Sequence, residues 1–252
     1  MPFVERDGVR IFYEAAGEGP PVLLSHGYSA TSRMWRGQVE ALAPRYRIIT
    51  WDMRGHGQSD SPDDPALYSE AATVGDMAAI LDALGIDTAV IGGLSLGGYM
   101  SLAFHLAHPG RVRALMLFDT GPGYRNPAGR EAWNRTAEAR AVAFETRGLD
   151  ALGSGAEVRI AQHRSSKGLA LAARGMLAQF DSRVIESLEG IRVPTLVLVG
   201  EKDEPFLGAT DYMAAKIPGA QKVVIPSAGH AANIDNPAAF NAAVEAFLAG
   251  LP

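Results

Sequence analysis

The chain contains 252 residues, of which 47% are hydrophobic and 20% are charged, and its formal net charge is -5 at pH 7. This length and composition predict one large globular domain, or one domain that carries an insertion. The negative net charge gives no reason to expect nucleic acid or an anionic membrane as a partner. The absence of cysteine excludes disulfides, thiolate metal sites and a cysteine nucleophile.

The sequence also carries information about location. Residues 1–7 are too polar to form a signal peptide, and no uninterrupted apolar stretch is long enough to cross a bilayer. We therefore expect a cytoplasmic protein that has no membrane partner.

Short apolar runs alternate with helical stretches through most of the chain, which predicts a mostly parallel sheet with crossover connections. The predicted strands are residues 9–14, 22–25, 47–51, 88–91, 114–118, 194–199 and 222–225. The predicted helices between and after them are residues 35–43, 70–84, 99–107 and 237–248.

The alternation is interrupted once, between Thr120 and Arg192, where the sequence predicts helices and no strand. This stretch is too long for an ordinary connection. We interpret residues 121–191 as a small helical lid, inserted into a core domain that is formed by residues 1–120 and 192–252.

Residues 93–97 read Gly-Leu-Ser-Leu-Gly and lie between a predicted strand and a predicted helix. A G-x-S-x-G pattern in this context is typical of a nucleophilic serine on a sharp turn. We predict a strained backbone at Ser95, with Gly93 and Gly97 allowing strand and helix to pass close together. The hydroxyl would lie at a helix N-terminus, where the dipole favours developing negative charge.

Asp203 and His230 also follow predicted strands, as Ser95 does, and ligands of parallel sheets bind at the carboxyl ends of the strands. A histidine near the serine can take its proton, and a carboxylate behind the histidine fixes the tautomer. We predict that Ser95, His230 and Asp203 form a catalytic triad. Asp119 follows another strand at the same edge and remains an alternative acid.

The oxyanion formed during attack requires hydrogen-bond donors. We predict the backbone N–H groups of Leu96, which follows the nucleophile, and of Tyr28, in the loop after an early strand. His26 in that loop is interpreted as a structural support. Tyr28, Trp133 and Phe144 are candidate substrate-binding residues, although the aromatic side chains of an insertion also serve to pack it onto the sheet.

Five motifs resemble those of the α/β-hydrolase superfamily, in the same order along the chain. They are residues 26–28, 52–59, 93–98, 200–203 and 228–230. The resemblance covers essentially the whole chain and implies an eight-stranded, mostly parallel sheet flanked by helices. It also implies a serine hydrolase that uses no metal and no organic cofactor. Within the superfamily the sequence is most similar to bacterial esterases, non-haem perhydrolases and 3-oxoadipate enol-lactonases.

The expected function is hydrolysis of a small-molecule ester or lactone through an acyl-enzyme. Three alternatives use a similar fold and triad: a C–C bond hydrolase of a dienoic diketone, a perhydrolase and a hydrolase-like ligand receptor. Epoxide hydrolases and haloalkane dehalogenases are disfavoured, because both carry aspartate where Ser95 stands. The sequence leaves the substrate and the oligomeric state open.

Overall fold

The computed structural model describes residues 3–252, so residues 1 and 2 of the predicted core domain lie outside the described part. The strands are β1 (Phe3–Arg6), β2 (Val9–Ala16), β3 (Pro21–Ser25), β4 (Arg47–Trp51), β5 (Ala89–Leu94), β6 (Val112–Phe118), β7 (Thr195–Gly200) and β8 (Gln221–Ile225). These eight strands form one sheet in the order β1-β2-β4-β3-β5-β6-β7-β8.

Only β2 runs against the other strands of the sheet. β1 pairs antiparallel with β2, and β2 pairs antiparallel with β4. All the remaining neighbours are parallel. The predicted eight-stranded, mostly parallel sheet is therefore confirmed. β1 forms a hairpin with β2 across Asp7 and Gly8, both of which have positive φ, as the tightest hairpin turns require.

Helices cover both faces of the sheet. Among residues 3–252 the α-helices are α1 (Arg36–Leu42), α2 (Glu70–Ala83), α3 (Leu96–Ala107), α4 (Pro127–Arg147), α5 (Ala156–Arg159), α6 (Ser166–Ala172), α7 (Arg183–Ser187), α8 (Glu204–Lys216), α9 (Ala232–Asp235) and α10 (Pro237–Ala249). None of them is long and apolar enough to cross a bilayer. α3 begins earlier than the sequence predicts, because Gly97 and Gly98 have low helix propensity and obscure its first turn.

The core consists of two apolar layers, one on each face of the sheet. Along β3, Leu23 packs into one layer, whereas Val22 and Leu24 pack into the other. β5 and β7 are buried along their whole length. Burial on both faces explains why these strands appear in the sequence as continuous apolar runs.

The chain between β6 and β7 is helical. Within residues 119–194, all of which the structure describes, α4 to α7 are joined by short 3₁₀ and π turns and no strand occurs. The buried residues of α4 are Ala137, Ala141 and Phe144, which share one face of the helix. We call residues 121–191 the helical segment.

Candidate active site

Ser95 lies on the turn that joins β5 to α3. Its backbone has φ 56° and ψ -117°, a conformation that non-glycine residues rarely adopt. A Cβ atom at Gly97 would lie 2.2 Å from Ser25 O, and one at Gly93 would lie 2.5 Å from the carbonyl carbon of Gly97. The predicted strain and the need for both glycines are therefore confirmed.

Residues at the end of β6 form hydrogen bonds with the backbone of this turn. Ser95 N donates to Phe118 O of β6 at 2.9 Å. Thr120 Oγ1 donates to Ser95 O at 2.6 Å, and a Cβ atom at Gly98 would lie 2.5 Å from Thr120 Cγ2. The backbone of Ser95 is thus fixed by β6, while its side chain opens into the cavity described below.

His230 and Asp203 form a hydrogen-bonded pair. His230 Nδ1 lies 2.8 Å from Asp203 Oδ2, and Asp203 is only 4% exposed. With its proton on Nδ1, facing the carboxylate, the imidazole has Nε2 free to accept a proton. Phe206 stacks on the His230 ring at a centroid distance of 5.0 Å. In the described residues no hydrogen bond yet joins His230 to the Ser95 hydroxyl, and such bonds often form only when substrate is bound.

Asp119, the alternative acid, has a different partner. Its Oδ1 accepts a hydrogen bond from Gly200 N at 2.7 Å, and the residue is completely buried. Burial raises the pKa of Asp119 well above its ordinary range, and the Asp203 carboxylate raises it further. Asp119 therefore braces the end of β7, next to the loop that carries Asp203, while Asp203 contacts the histidine.

The two predicted oxyanion donors lie beside the turn. Leu96 opens α3, so its N–H is one of those that an α-helix leaves without an internal partner. The N–H of Tyr28 donates to no protein acceptor within residues 3–252, whereas that of Ser29 donates to His56. A Cβ atom at Gly27 would lie 3.4 Å from Ser95 Cβ, so the Tyr28 loop passes against the serine.

Three histidines fix that loop, and each bridges a backbone N–H to a backbone carbonyl. The partners are Met53 N and Gly27 O for His26, Ser29 N and Arg54 O for His56, and Gly57 N and Ser29 O for His163. Burial lowers the pKa of each of these imidazoles. Because every ring nitrogen is engaged, the described residues offer no metal site here, nor any group of three or more potential ligands elsewhere.

The supporting role that the sequence predicts for His26 agrees with these contacts. His163 is a residue that sequence reasoning missed. The sequence places it only in the insertion, but the structure joins it to the Tyr28 loop through Ser29 O at 3.0 Å. Nothing in the local sequence signals this contact, because the partners are 134 residues apart.

A cavity of about 310 Å³ opens above Ser95 and Leu96. Trp133 lines it, as the sequence predicts, and donates from Nε1 to Leu177 O at 2.7 Å. Phe206 and Tyr212 of α8 also line it. The cavity has the size of a small-molecule site.

Tyr28 and Phe144 do not line this cavity. Their rings pack edge-on at a centroid distance of 6.3 Å, and the Tyr28 hydroxyl donates to Leu169 O at 2.8 Å. Both side chains therefore pack the helical segment onto the sheet. Three lining residues that sequence reasoning missed are Tyr99, Gln179 and Tyr212. Of these only Tyr99 carried a signal, because it lies one helical turn after the nucleophile.

Comparison with known proteins agrees with this architecture. The family model for the alpha/beta hydrolase fold matches residues 20–167. A putative 2-succinyl-6-hydroxy-2,4-cyclohexadiene-1-carboxylate synthase of Bacillus subtilis is 31% identical, with 97% of each chain covered. The 3-oxoadipate enol-lactonase 1 of Acinetobacter baylyi is 33% identical over 88% of this chain and 85% of its own. A thermophilic esterase from Thermogutta terrifontis superposes with a TM-score of 0.83 at 31% identity, covering 99% of this chain and 97% of that one.

Proposed function

The chain belongs to the α/β-hydrolase family, and from that premise we propose that it hydrolyses a carboxylic ester or lactone through an acyl-enzyme on Ser95. The observation that carries the proposal is the buried Asp203–His230 pair, at the edge of the sheet where the strained Ser95 turn opens into a cavity. Similarity to an esterase and to an enol-lactonase supports the substrate class.

In the proposed reaction, His230 Nε2 accepts the proton of the Ser95 hydroxyl as Oγ attacks the carbonyl carbon of the substrate. The tetrahedral intermediate then collapses, and His230 returns the proton to the leaving alcohol oxygen. A water molecule, activated by the same imidazole, releases the acid and restores the hydroxyl. The Asp203 carboxylate orients the His230 ring and stabilises the imidazolium.

The N–H groups of Leu96 and Tyr28 stabilise the negative oxygen of both intermediates. A single donor of this kind typically contributes roughly 2.7–4 kcal/mol to transition-state stabilisation. Because the donors belong to α3 and to the histidine-braced Tyr28 loop, they are oriented before the substrate arrives. The strained backbone at Ser95 supports the proposed role of its hydroxyl as the nucleophile, since this conformation holds the hydroxyl clear of the sheet.

The proposal is tested by assaying esters of graded chain length, together with several lactones, against the wild-type protein and Ser95→Ala. We expect hydrolysis by the wild type and a loss of up to about a million-fold in kcat in the variant. Circular dichroism checks that the variant is folded. Near-normal hydrolysis by folded Ser95→Ala would contradict the mechanism.

Product analysis separates this function from its alternatives. Dienoic diketones test C–C bond cleavage, and hydrogen peroxide as a competing nucleophile tests perhydrolysis. A ligand receptor would form a stable adduct with negligible turnover. We expect the ester or lactone to be turned over repeatedly, with the acid as the product.

A further inference from the structure

The cavity above Ser95 contains no charged side chain. Within the described residues its lining includes no lysine, arginine, histidine, aspartate or glutamate. The lining is instead largely aromatic and aliphatic and includes Trp133 and Phe206. A substrate group that enters this space leaves water without meeting an opposite charge.

Two arginines near the cavity, Arg183 and Arg130, are bound to other groups. Arg183 is the first residue of α7 and forms salt bridges with Asp181 and Glu70. Arg130 is bound to the Tyr124 and Arg125 carbonyl oxygens on the exposed side of α4. Neither arginine lines the cavity.

Gln179 is the amide side chain of the lining. Its backbone is fixed by a reciprocal pair of hydrogen bonds with Asn134, both 2.8 Å long. Its carboxamide, by contrast, forms no hydrogen bond with the protein among residues 3–252, and Oε1 is buried without a donor. A Cβ atom at Gly123 would lie 2.9 Å from that oxygen, so glycine there leaves room for the amide. A buried amide oxygen without a donor is destabilising, and a ligand that supplies the missing hydrogen bond would relieve this cost.

On the premise of the proposed ester or lactone hydrolysis, we propose that the substrate class is electrically neutral and that the Gln179 carboxamide recognises one neutral hydrogen-bonding group on it. An amide or hydroxyl group satisfies the carboxamide, which both donates and accepts. A carboxylate in the same place loses its hydration without gaining a cation. Gln179 is then a specificity-determining residue, while the bond cleavage is carried out by Ser95.

The test uses three p-nitrophenyl esters of matched length that differ only at the far end of the acyl chain: methyl, carboxamide and carboxylate. The length is the one that the graded series shows to be best. For the wild type we expect kcat/KM to be at least about 100-fold higher for the carboxamide ester than for the carboxylate ester. Equal or preferred hydrolysis of the carboxylate ester would overturn the inference.

Two variants test the role of Gln179. In Gln179→Leu we expect the ratio of kcat/KM for the carboxamide ester to that for the methyl ester to fall by roughly 10-fold or more. In Gln179→Lys we expect the carboxylate ester to gain at least about 10-fold relative to the methyl ester, because an ammonium now faces it. The matched control is Gln162→Leu, an exposed glutamine of the helical segment that does not line the cavity.

Unchanged ratios in folded Gln179→Leu and Gln179→Lys would overturn the role of Gln179. These results are distinct from failure of the proposed function. If the proposed function were wrong, Ser95→Ala would hydrolyse all three esters as well as the wild type does, or neither protein would hydrolyse any of them. Thermal unfolding of each variant confirms that the ratios refer to folded protein.

Discussion

The cavity has a floor and a roof that are built in different ways. We call the Ser95 turn, together with the loops after β3, β7 and β8 that lie beside it, the floor, and the helical segment is the roof. Backbone contacts fix the floor: Ser95 N bonds to β6, and Gly97 leaves no space for a Cβ atom. Side chains that bond to backbone groups hold the roof, as Trp133 does at Leu177 O.

This difference suggests that the two regions carry different properties. Backbone geometry that is set by a parallel sheet tolerates little change. Such rigidity is suited to a hydroxyl, an imidazole and a carboxylate whose relative positions must stay fixed for the reaction. Side-chain contacts across a helical insertion can be exchanged one at a time. We therefore expect changes in the floor to affect turnover or folding, and changes in the roof to affect which substrates bind.

The largest effect that tests this comparison concerns the two buried carboxyl groups of the floor. Asp203→Asn should lower kcat/KM by about 10,000-fold, because asparagine stabilises the wrong tautomer of His230. Asp119→Asn should lower it by less than about 10-fold, because Asp119 bonds to Gly200 N rather than to the imidazole. Steady-state kinetics with one good ester measure both values.

The pair of variants is its own control, since each replaces one buried carboxyl by the same amide. If Asp119→Asn lost more activity than Asp203→Asn while remaining folded, Asp119 would be the triad acid. The geometry of the His230–Asp203 pair would then be that of an unproductive state.

Acid should weaken the floor through its buried histidines. Burial lowers the pKa of His26 from 6.5 to about 4, and the ring must be neutral to accept the hydrogen bond from Met53 N. Between these values the unfolded chain binds a proton that the folded chain does not. The part of the unfolding free energy that depends on neutral His26 is therefore fully present above about pH 6.5 and is lost as the pH falls towards 4. The stability lost through His26 over this pH range is on the order of a few kcal/mol.

Urea unfolding at pH 7, 5.5 and 4.5 measures this loss. Asp119 acts in the opposite direction because its pKa is raised, so the informative quantity is the difference between wild type and His26→Gln. We expect a shallower dependence of the unfolding free energy on pH in the variant. The same slope in both proteins would mean that folding does not change the pKa of His26.

A smaller effect on folding comes from the close approach of α3 to β3. Gly97→Ala should lower the unfolding free energy by about 1–3 kcal/mol or more, because the new Cβ atom would collide with Ser25 O. Gly110→Ala is the matched control, since a Cβ atom there meets nothing within 4 Å. Equal stability of the two variants would show that the Ser95 turn can relax to accommodate the new Cβ atom.

The smallest effect belongs to the roof. Asn134→Ala removes both hydrogen bonds that fix the backbone of Gln179. We expect KM to rise by up to about 10-fold while kcat changes by less than about 3-fold, since one or two hydrogen bonds of about 1 kcal/mol each position the wall and none touches the reacting atoms. Thr136→Ala, an exposed change on the same helix, serves as control. A loss confined to kcat would contradict the division between floor and roof.

The strained turn of the floor could be predicted from the sequence because its signals are local. A strand, a G-x-S-x-G turn and a helix within about twenty residues specify both the strained serine and the glycines around it. The choice between Asp119 and Asp203 needed the structure, because both follow strands that end at the same edge. The hydrogen bond between Asp203 and His230 favours Asp203 as the proposed acid.

The roof was less predictable because its contacts are distant in sequence. Trp133 and Phe144 gave the same signal, aromatic residues in a helical insertion, and they lie on nearly the same face of α4. Eleven residues of helix nevertheless separate them by about 16 Å, which places Trp133 at the cavity and Phe144 over Tyr28. Gln179 follows an irregular turn with no periodic pattern, and its partner Asn134 is 45 residues away.

The most direct test of the central claim is to label the native protein with a fluorophosphonate, which phosphonylates activated serine hydroxyls, and to map the modified residue by mass spectrometry. We expect stoichiometric labelling of Ser95, loss of esterase activity in step with it, and no labelling after unfolding or in His230→Ala. Labelling of a different residue that abolishes activity, or full activity after Ser95 is modified, would contradict the account.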